Sequence, residues 1–323
     1  MTASTTPHGP IYDRVALVGI GLIGSSIARA VRRGRLAKHV ACWTRRPETR
    51  DTTRKLGIVD SVHDTLAEAV KDADLVMLCA PIGANADIAQ AMAAHLKPGA
   101  TISDVGSVKQ AVIRDVGPHV PEGVHFIPGH PVAGTEHSGP ESGFAELFER
   151  RWCILTPPPG TDQASVDRLT KFWQAMGSKV EIMDAQHHDR VLAITSHLPH
   201  LIAYTIVGTV TDLEDHLRRE AADAGTMIER AEIVKFSAGG FRDFTRIAAS
   251  DPIMWRDIFL NNREAVLEMM GRLSEDLAAL QRAIRWGEGE KLEAWFRRTR
   301  EIRRGVLDAG QAGTFAATEP EKK

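Results

Sequence analysis

The stretch VALVGIGLIGSSIARAVRR, residues 15–33, runs an apolar segment straight into Gly19, Gly21 and Gly24 and then into a helical pattern. Few arrangements bind a backbone so tightly. Gly19 permits a turn too sharp for a side chain, Gly21 lets a ligand approach the main chain, and Gly24 lets helix and strand pack closely. The helix start adds free N–H groups and a partial positive charge. A lone GxGxxG is weak, but between a strand and a helix near the chain start it predicts a dinucleotide pyrophosphate site. Gly19, Gly21, Leu22, Ile23 and Gly24 form it.

The surrounding chain has the pattern such a site needs. RVALVGI, VACWT, DLVMLCAP, ATISDVG, VHFIPG, WCILTP and KVEIM are short apolar runs bounded by Gly, Pro, Asp or Thr. Consecutive apolar residues fit strands buried on both faces, as in parallel sheets. Helical periodicity, as in Ile88, Met92 and Leu96, separates most of them. The alternation predicts an α/β fold, an N-terminal Rossmann-type doubly wound sheet over residues 13–184.

No strand pattern follows Met183, so an all-helical substrate and dimerisation domain is expected over residues 185–307. Ile258, Val266, Met269, Leu273, Leu277, Leu280 and Ile284 make one apolar stripe, predicting a single very long helix. Such a face is expected to meet a second copy, giving a homodimer. Residues 1–12 and 308–323 are small, polar and unpatterned, and are expected to be mobile tails.

A length of 323 residues suits two domains, and a net charge of −2 gives no reason to expect nucleic acid. Cys42, Cys79 and Cys153 lie in apolar runs without a CxxC pair, so reduced thiols are expected. No apolar run is read as reaching the roughly 18–20 residues of a membrane span. The start MTASTTPHGP lacks the regions of a signal peptide, and a cytoplasmic protein is expected.

The second strand should end beside the adenosine ribose, where an NAD enzyme usually carries Asp or Glu. Here Thr44, Arg45 and Arg46 stand there, and the first carboxylate is Glu48. Two guanidiniums suit a 2′-phosphate, which favours NADP, with NAD as the alternative. Chemistry is expected outside the carboxyl ends of the strands. That region offers Pro81 and Asp104, expected against the cofactor, then Ser107 and Lys109, and then His130, Thr135, Glu136 and His137. The helical half adds TSHLPH and GGFRDFTRIAASDPIMW. His187, His188 and Asp189 read as a helix start. No third ligand is suitably spaced with His197 and His200, so no metal is expected.

Taken together, VGxGLIGxS, DVGSVK, GHPxAGxExSG, SHLPH and FxDxTRIAxSDPxxW resemble the prephenate/arogenate (cyclohexadienyl) dehydrogenases of tyrosine biosynthesis. The resemblance covers about Arg14 to Leu280. It implies oxidation of a ring 4-hydroxyl with hydride transfer to nicotinamide and loss of the ring carboxylate as carbon dioxide. It implies that His130 accepts the hydroxyl proton, with Ser107 assisting. Arg246 would bind a substrate carboxylate, His197 and His200 would receive the substrate side chain, and Glu136 would tune specificity at the mouth. Trp255 reads as a pocket wall or as ordinary core. Asp243 reads as support for Arg246. Tyrosine is expected to act, if at all, as a competitive inhibitor. The rivals are a β-hydroxyacid dehydrogenase, which would draw on a lysine such as Lys235, and a non-catalytic dinucleotide-sensing regulator.

Overall fold

Residues 9–135, 137–223 and 238–308 are described in a computed structural model. Of the expected tails 1–12 and 308–323, residues 1–8 and 309–323 lie outside the described residues, as do Glu136 and Lys235. The described residues form two compact units that divide between Val266 and Leu267.

The first unit begins with β1 (Tyr12–Val18), α1 (Leu22–Gly34), β2 (Ala37–Trp43), α2 (Pro47–Leu56), β3 (Ser61–Val62) and α3 (Leu66–Val70). It continues with β4 (Leu75–Leu78), α4 (Asn85–Met92), β5 (Thr101–Asp104), α5 (Lys109–Val116) and β6 (His125–Phe126). These strands make one parallel sheet in the order β3-β2-β1-β4-β5-β6. β4 is buried along its whole length and β1 nearly so, because helices cover both faces. The order reverses beside β1, so the carboxyl ends of β1 and β4 flank the crevice where such sheets bind dinucleotides.

Two expectations need correction here. The chain enters the sheet at Tyr12, one residue before the expected boundary, because that side chain is a core residue. Its ring is buried edge-on against Phe172, and the Arg168 guanidinium lies over it. VHFIPG is not one strand. After β6 the backbone leaves the parallel sheet, and β7 (Gly129–Pro131) starts a second sheet with β8 (Trp152–Leu155) and β9 (Lys179–Ile182). β7 runs antiparallel to β8, and β8 runs parallel to β9 after the crossover α6 (Gln163–Ala175). Pro131 has no N–H to donate, which suits it to this short edge strand.

Beyond β9 the described chain is helical. α7 (Ala185–Leu192) passes through one π-helical turn, Ala193–His197, into α8 (Leu198–Asp223). Within the helical run Ala185–Ala221 one 18-residue window has a mean hydropathy of 1.4, long and apolar enough to cross a membrane by length and composition alone. The expectation that no apolar run reaches that length needs correction, because Asp189 and Arg190 at its start and the charged residues from Asp212 onward leave the stretch between them without a charged residue. α9 (Gly239–Thr245) and a 3₁₀ turn, Arg246–Ala249, lead to α10 (Pro252–Asn261) and α11 (Arg263–Arg285). The expected single helix is thus interrupted at Asn262, whose φ of −108° and ψ of 31° leave the helical region. The hydrogen-bond ladder nevertheless bridges it, from Asn262 N to Ile258 O and from Val266 N to Asn262 O.

The second unit holds the rest of α11 and α12 (Gly289–Asp308). Leu267, Leu277, Ile284, Trp286, Phe296 and Ile302 are exposed there.

The close packing of α1 on β1 yields a stability test. A methyl group on Gly24 would collide with the carbonyl oxygen of Gly19, which is backbone and cannot swing aside. Gly24→Ala should therefore cost about 1–3 kcal/mol in urea unfolding. Gly208→Ala meets open space on α8 and should add about 0.5–1 kcal/mol. Equal effects of the two substitutions would refute the packing role.

Candidate active site

The glycine turn has the shape a pyrophosphate requires. Gly19 has φ of +101°, and a Cβ there would lie 2.6 Å from the Cys79 carbonyl oxygen. Gly21 precedes α1 and faces open space, the side from which a ligand can reach the backbone. The first turn of α1, including Leu22 and Ile23, carries no acidic residue and no side-chain cap. Its N–H groups and positive dipole end are therefore offered to an anion. These residues fit a dinucleotide.

Thr44, Arg45 and Arg46 lie just past β2, with both arginines exposed. Among the described residues neither arginine is paired with a carboxylate. The neighbouring Asp64 is occupied instead by Arg50 and Arg54. Pro81 is exposed beyond the end of β4.

Asp104, expected against the cofactor, is engaged by its own fold. Its carboxylate is buried and takes N–H donors from Gly106 (2.7 Å), Gly129 (3.0 Å) and the Lys109 ammonium (2.5 Å). The same ammonium donates to the Gly129 carbonyl at 2.6 Å, and its side chain is 0% exposed. A charge so deeply buried survives only when paired and fully hydrogen-bonded. The knot ties the end of β5 to the start of β7 and so fixes His130. A Cβ on Gly129 would press on Asp104 O at 3.1 Å and on Ser103 Oγ at 3.2 Å, so a side chain there would have to displace its neighbours by a few tenths of an ångström. Ser107 is half-buried on the loop between Asp104 and Lys109.

His130 lies beside a partner the sequence did not reveal. Its Nδ1 is 2.9 Å from Nε2 of His188, whose own Nδ1 is 2.8 Å from Asp189 Oδ1. The Asp189 carboxylate also accepts the backbone N–H groups of Lys109 (2.7 Å) and Gln110 (2.9 Å), capping α5. Burial opposes the charge on Asp189, but these donors prevail and hold its pKa below the ordinary value. An ionised carboxylate only accepts, so His188 Nδ1 must donate to it. Neutral His188 then accepts at Nε2, and His130 Nδ1 must donate there. His130 Nε2 is left as a lone pair with no hydrogen bond among the described residues. Burial, then the positive potential of His188 and Lys109, holds His130 well below the usual histidine range.

His187, His188 and Asp189 do stand at a helix start, since α7 begins at Ala185 with Asp184 as its cap, but the helix-start reading leaves out the contacts of His188 and Asp189 with His130 and α5. A usable signal existed. Ala185, His188, Asp189 and Leu192 fall at helical spacing on one face, and His188, Asp189 and Leu192 are all buried.

The other expected residues form an adjoining wall. His197 is buried, edge-on to Trp255 at 6.1 Å, and His200 stacks on Trp255 at 3.7 Å. Trp255 is therefore wall and core at once, since it also packs on Phe259. Burial lowers the His197 pKa to about 4. His200 is also lowered, by burial first and then by the positive charge of Arg246, and its Nδ1–H donates to Ser196 O. Among the described residues no cluster of His, Cys, Asp or Glu is arranged to hold a metal.

Residues 27–182 match the family described as prephenate dehydrogenase, nucleotide-binding domain, and residues 184–298 match its dimerization domain. The chain belongs to the prephenate dehydrogenase family. It is 40% identical over 293 residues to a cyclohexadienyl dehydrogenase of Zymomonas mobilis, covering 91% of this chain and 96% of that one. It is 31% identical to a prephenate dehydrogenase of Bacillus subtilis, covering 94% and 79%. Among solved structures it resembles Aquifex aeolicus prephenate dehydrogenase in complex with hydroxyphenyl propionate and NAD+, with TM-score 0.81 and 33% identity over 91% and 98% of the two chains. It also resembles the arogenate dehydrogenase of Synechocystis, with TM-score 0.73 and 25% identity over 91% and 99%.

Stability in this prephenate dehydrogenase family member should depend on pH through its buried histidines. With His197 folded at about 4 and ordinarily near 6.5, the unfolded chain takes up protons first as pH falls. Stability is therefore complete above roughly pH 6.5 and is lost between there and about pH 4, His197 alone contributing on the order of 3 kcal/mol. Unfolding at pH 7 and pH 4.5 measures it, and His197→Gln should shrink the difference. An unchanged difference would mean that His197 is not the titrating group.

Proposed function

We propose that the chain catalyses oxidative decarboxylation of prephenate, arogenate or both in tyrosine biosynthesis, working as a homodimer. The single observation that carries this is the hydrogen-bond chain Asp189–His188–His130, which leaves a lone pair on His130 Nε2. A bound nicotinamide supplies the hydride acceptor. As hydride leaves C4 of the ring, His130 Nε2 takes the hydroxyl proton. The charge so created is shared, because His130 Nδ1–H donates to His188, whose Nδ1–H donates to ionised Asp189. The C4 hydroxyl becomes a carbonyl, the bond from the ring to its carboxylate breaks, and carbon dioxide leaves. The electron pair from that bond enters the ring, which becomes aromatic and regains a proton on oxygen. Ser107, on the neighbouring loop, assists at the hydroxyl.

Prephenate carries two carboxylates, and Arg246 beside His200 supplies a cationic wall for one of them. Glu136 is retained as a tuning residue at the mouth on the strength of the motif alone. Tyrosine, which shares the side chain and ring of the products, fits as a competitive inhibitor. NADP is favoured over NAD because Arg45 and Arg46 carry unpaired charge where a 2′-phosphate would lie. Aromatisation and loss of carbon dioxide drive the reaction without a metal. The exposed apolar residues of the second unit, within the matched dimerization family, support the homodimer.

Prephenate and arogenate, each supplied with NADP and NAD, test the activity through absorbance of the reduced nicotinamide. Turnover of at least one pair is expected, and none with any pair would defeat the assignment. His130→Asn should cut kcat about 10²–10⁴-fold with cofactor binding retained; undiminished turnover would remove His130 as the base. Replacing Arg45 and Arg46 together by alanine should lower kcat/KM with NADP at least tenfold more than with NAD. Equal losses would put the 2′-phosphate elsewhere.

A further inference from the structure

Asn262 lies where α10 meets α11, on the buried stripe between Ile258 and Val266, and is itself only 4% exposed. A lone polar residue in an apolar row is costly unless fully hydrogen-bonded. Its amide nitrogen is 2.9 Å from the main-chain oxygen of Asp189 and 3.0 Å from Nδ1 of His197. A carbonyl oxygen can only accept, so the NH₂ end of the amide must face Asp189. The second hydrogen of that NH₂ then points at His197 Nδ1, which must be the acceptor. A neutral imidazole that accepts at Nδ1 carries its proton on Nε2. His197 Nε2 is buried and meets no acceptor among the described residues. The ring lies edge-on to Trp255, with centroids 6.1 Å apart.

We propose that Asn262 is a positioning residue that locks His197 as a neutral Nε2–H donor aimed at an oxygen of the substrate. The inference rests on the dehydrogenase reading for the identity of that oxygen but not for the tautomer. Asp189 thereby governs two histidines with opposite duties. Its carboxylate, through His188, leaves His130 with a lone pair to take a proton. Its main-chain oxygen, through Asn262, leaves His197 with a hydrogen to give to a hydrogen bond. Asn262 touches no reacting atom and acts only through His197.

The tautomer can be read directly from ring ¹⁵N shifts of the full-length protein labelled at histidine, with His197 assigned by its loss in His197→Gln. At pH 7 the unsubstituted protein should show His197 neutral and protonated at Nε2. A charged ring or an Nδ1–H tautomer would overturn the proposal without any variant being needed. Asn262→Asp keeps the shape but cannot donate to Nδ1, so His197 should gain a proton there. With the substrate that is turned over, KM should rise about tenfold while kcat changes less than threefold. Unchanged ring shifts and unchanged KM in a folded Asn262→Asp protein would also overturn it. An Nε2–H tautomer with no turnover of prephenate or arogenate would fault the functional reading and leave the locking role of Asn262 standing.

Discussion

The contact on which the rest of the site depends is the salt-bridge-like hydrogen bond between Asp189 and His188. Asp189 accepts from a ring nitrogen and from two backbone amides of α5, so its charge is stabilised from three directions and its carboxylate cannot turn. An imidazole alone has two equivalent neutral forms. Beside a fixed carboxylate it has one, and each further histidine in the row inherits the choice. The tautomer of His130 is thus decided two residues further along the hydrogen-bond chain. The same carboxylate caps α5, so the start of that helix and the tautomers of both histidines are set by one side chain.

The Asp104–Lys109 pair plays the complementary mechanical part. Two charges removed from water gain little net stability over an apolar pair, but losing either one leaves the other stranded at a cost of about 3–5 kcal/mol. The pair is better understood as a geometric clamp. It joins β5 to β7 across the gap between two sheets, and the same lysine contributes its backbone N–H to Asp189. Strand, loop and helix are thereby held to one another around His130.

Much of this was legible in the sequence, and the limits are physical. The glycine turn is a local matter of φ and clearance, so Gly19, Gly21 and Gly24 announced themselves. Strands buried on both faces gave the parallel sheet, and the motif around Gly129 and Pro131 singled out His130. The division of VHFIPG into strands of two sheets was hidden, because apolar periodicity does not say which partner a strand chooses. His188 and Asp189 were hidden because their partners are 58 and about 80 residues away and polar residues near a helix start have a simpler explanation. Asn262 was skipped for the same kind of reason. The stripe from Ile258 to Val266 reads as continuous only if the polar residue midway is ignored, and that residue turned out to face inward. The buried partners of Asp104 were hidden because a strand-end carboxylate can face a ligand or its own fold equally well in sequence.

The single π-helical turn at Ala193–His197 has a consequence for how such a site can arise. At about 100° per residue, nine residues of plain α-helix would set His188 and His197 on opposite sides of the rod. A π turn accommodates roughly one surplus residue in the same rise, which takes out about 100° of that rotation. The two rings are thereby swung to within about a quarter turn of each other. Chain length, not side-chain identity, becomes the adjustable quantity. One extra peptide unit, absorbed as a bulge and not spread along the helix, re-phases everything after it, and an ordinary apolar rod acquires two buried histidines on neighbouring faces.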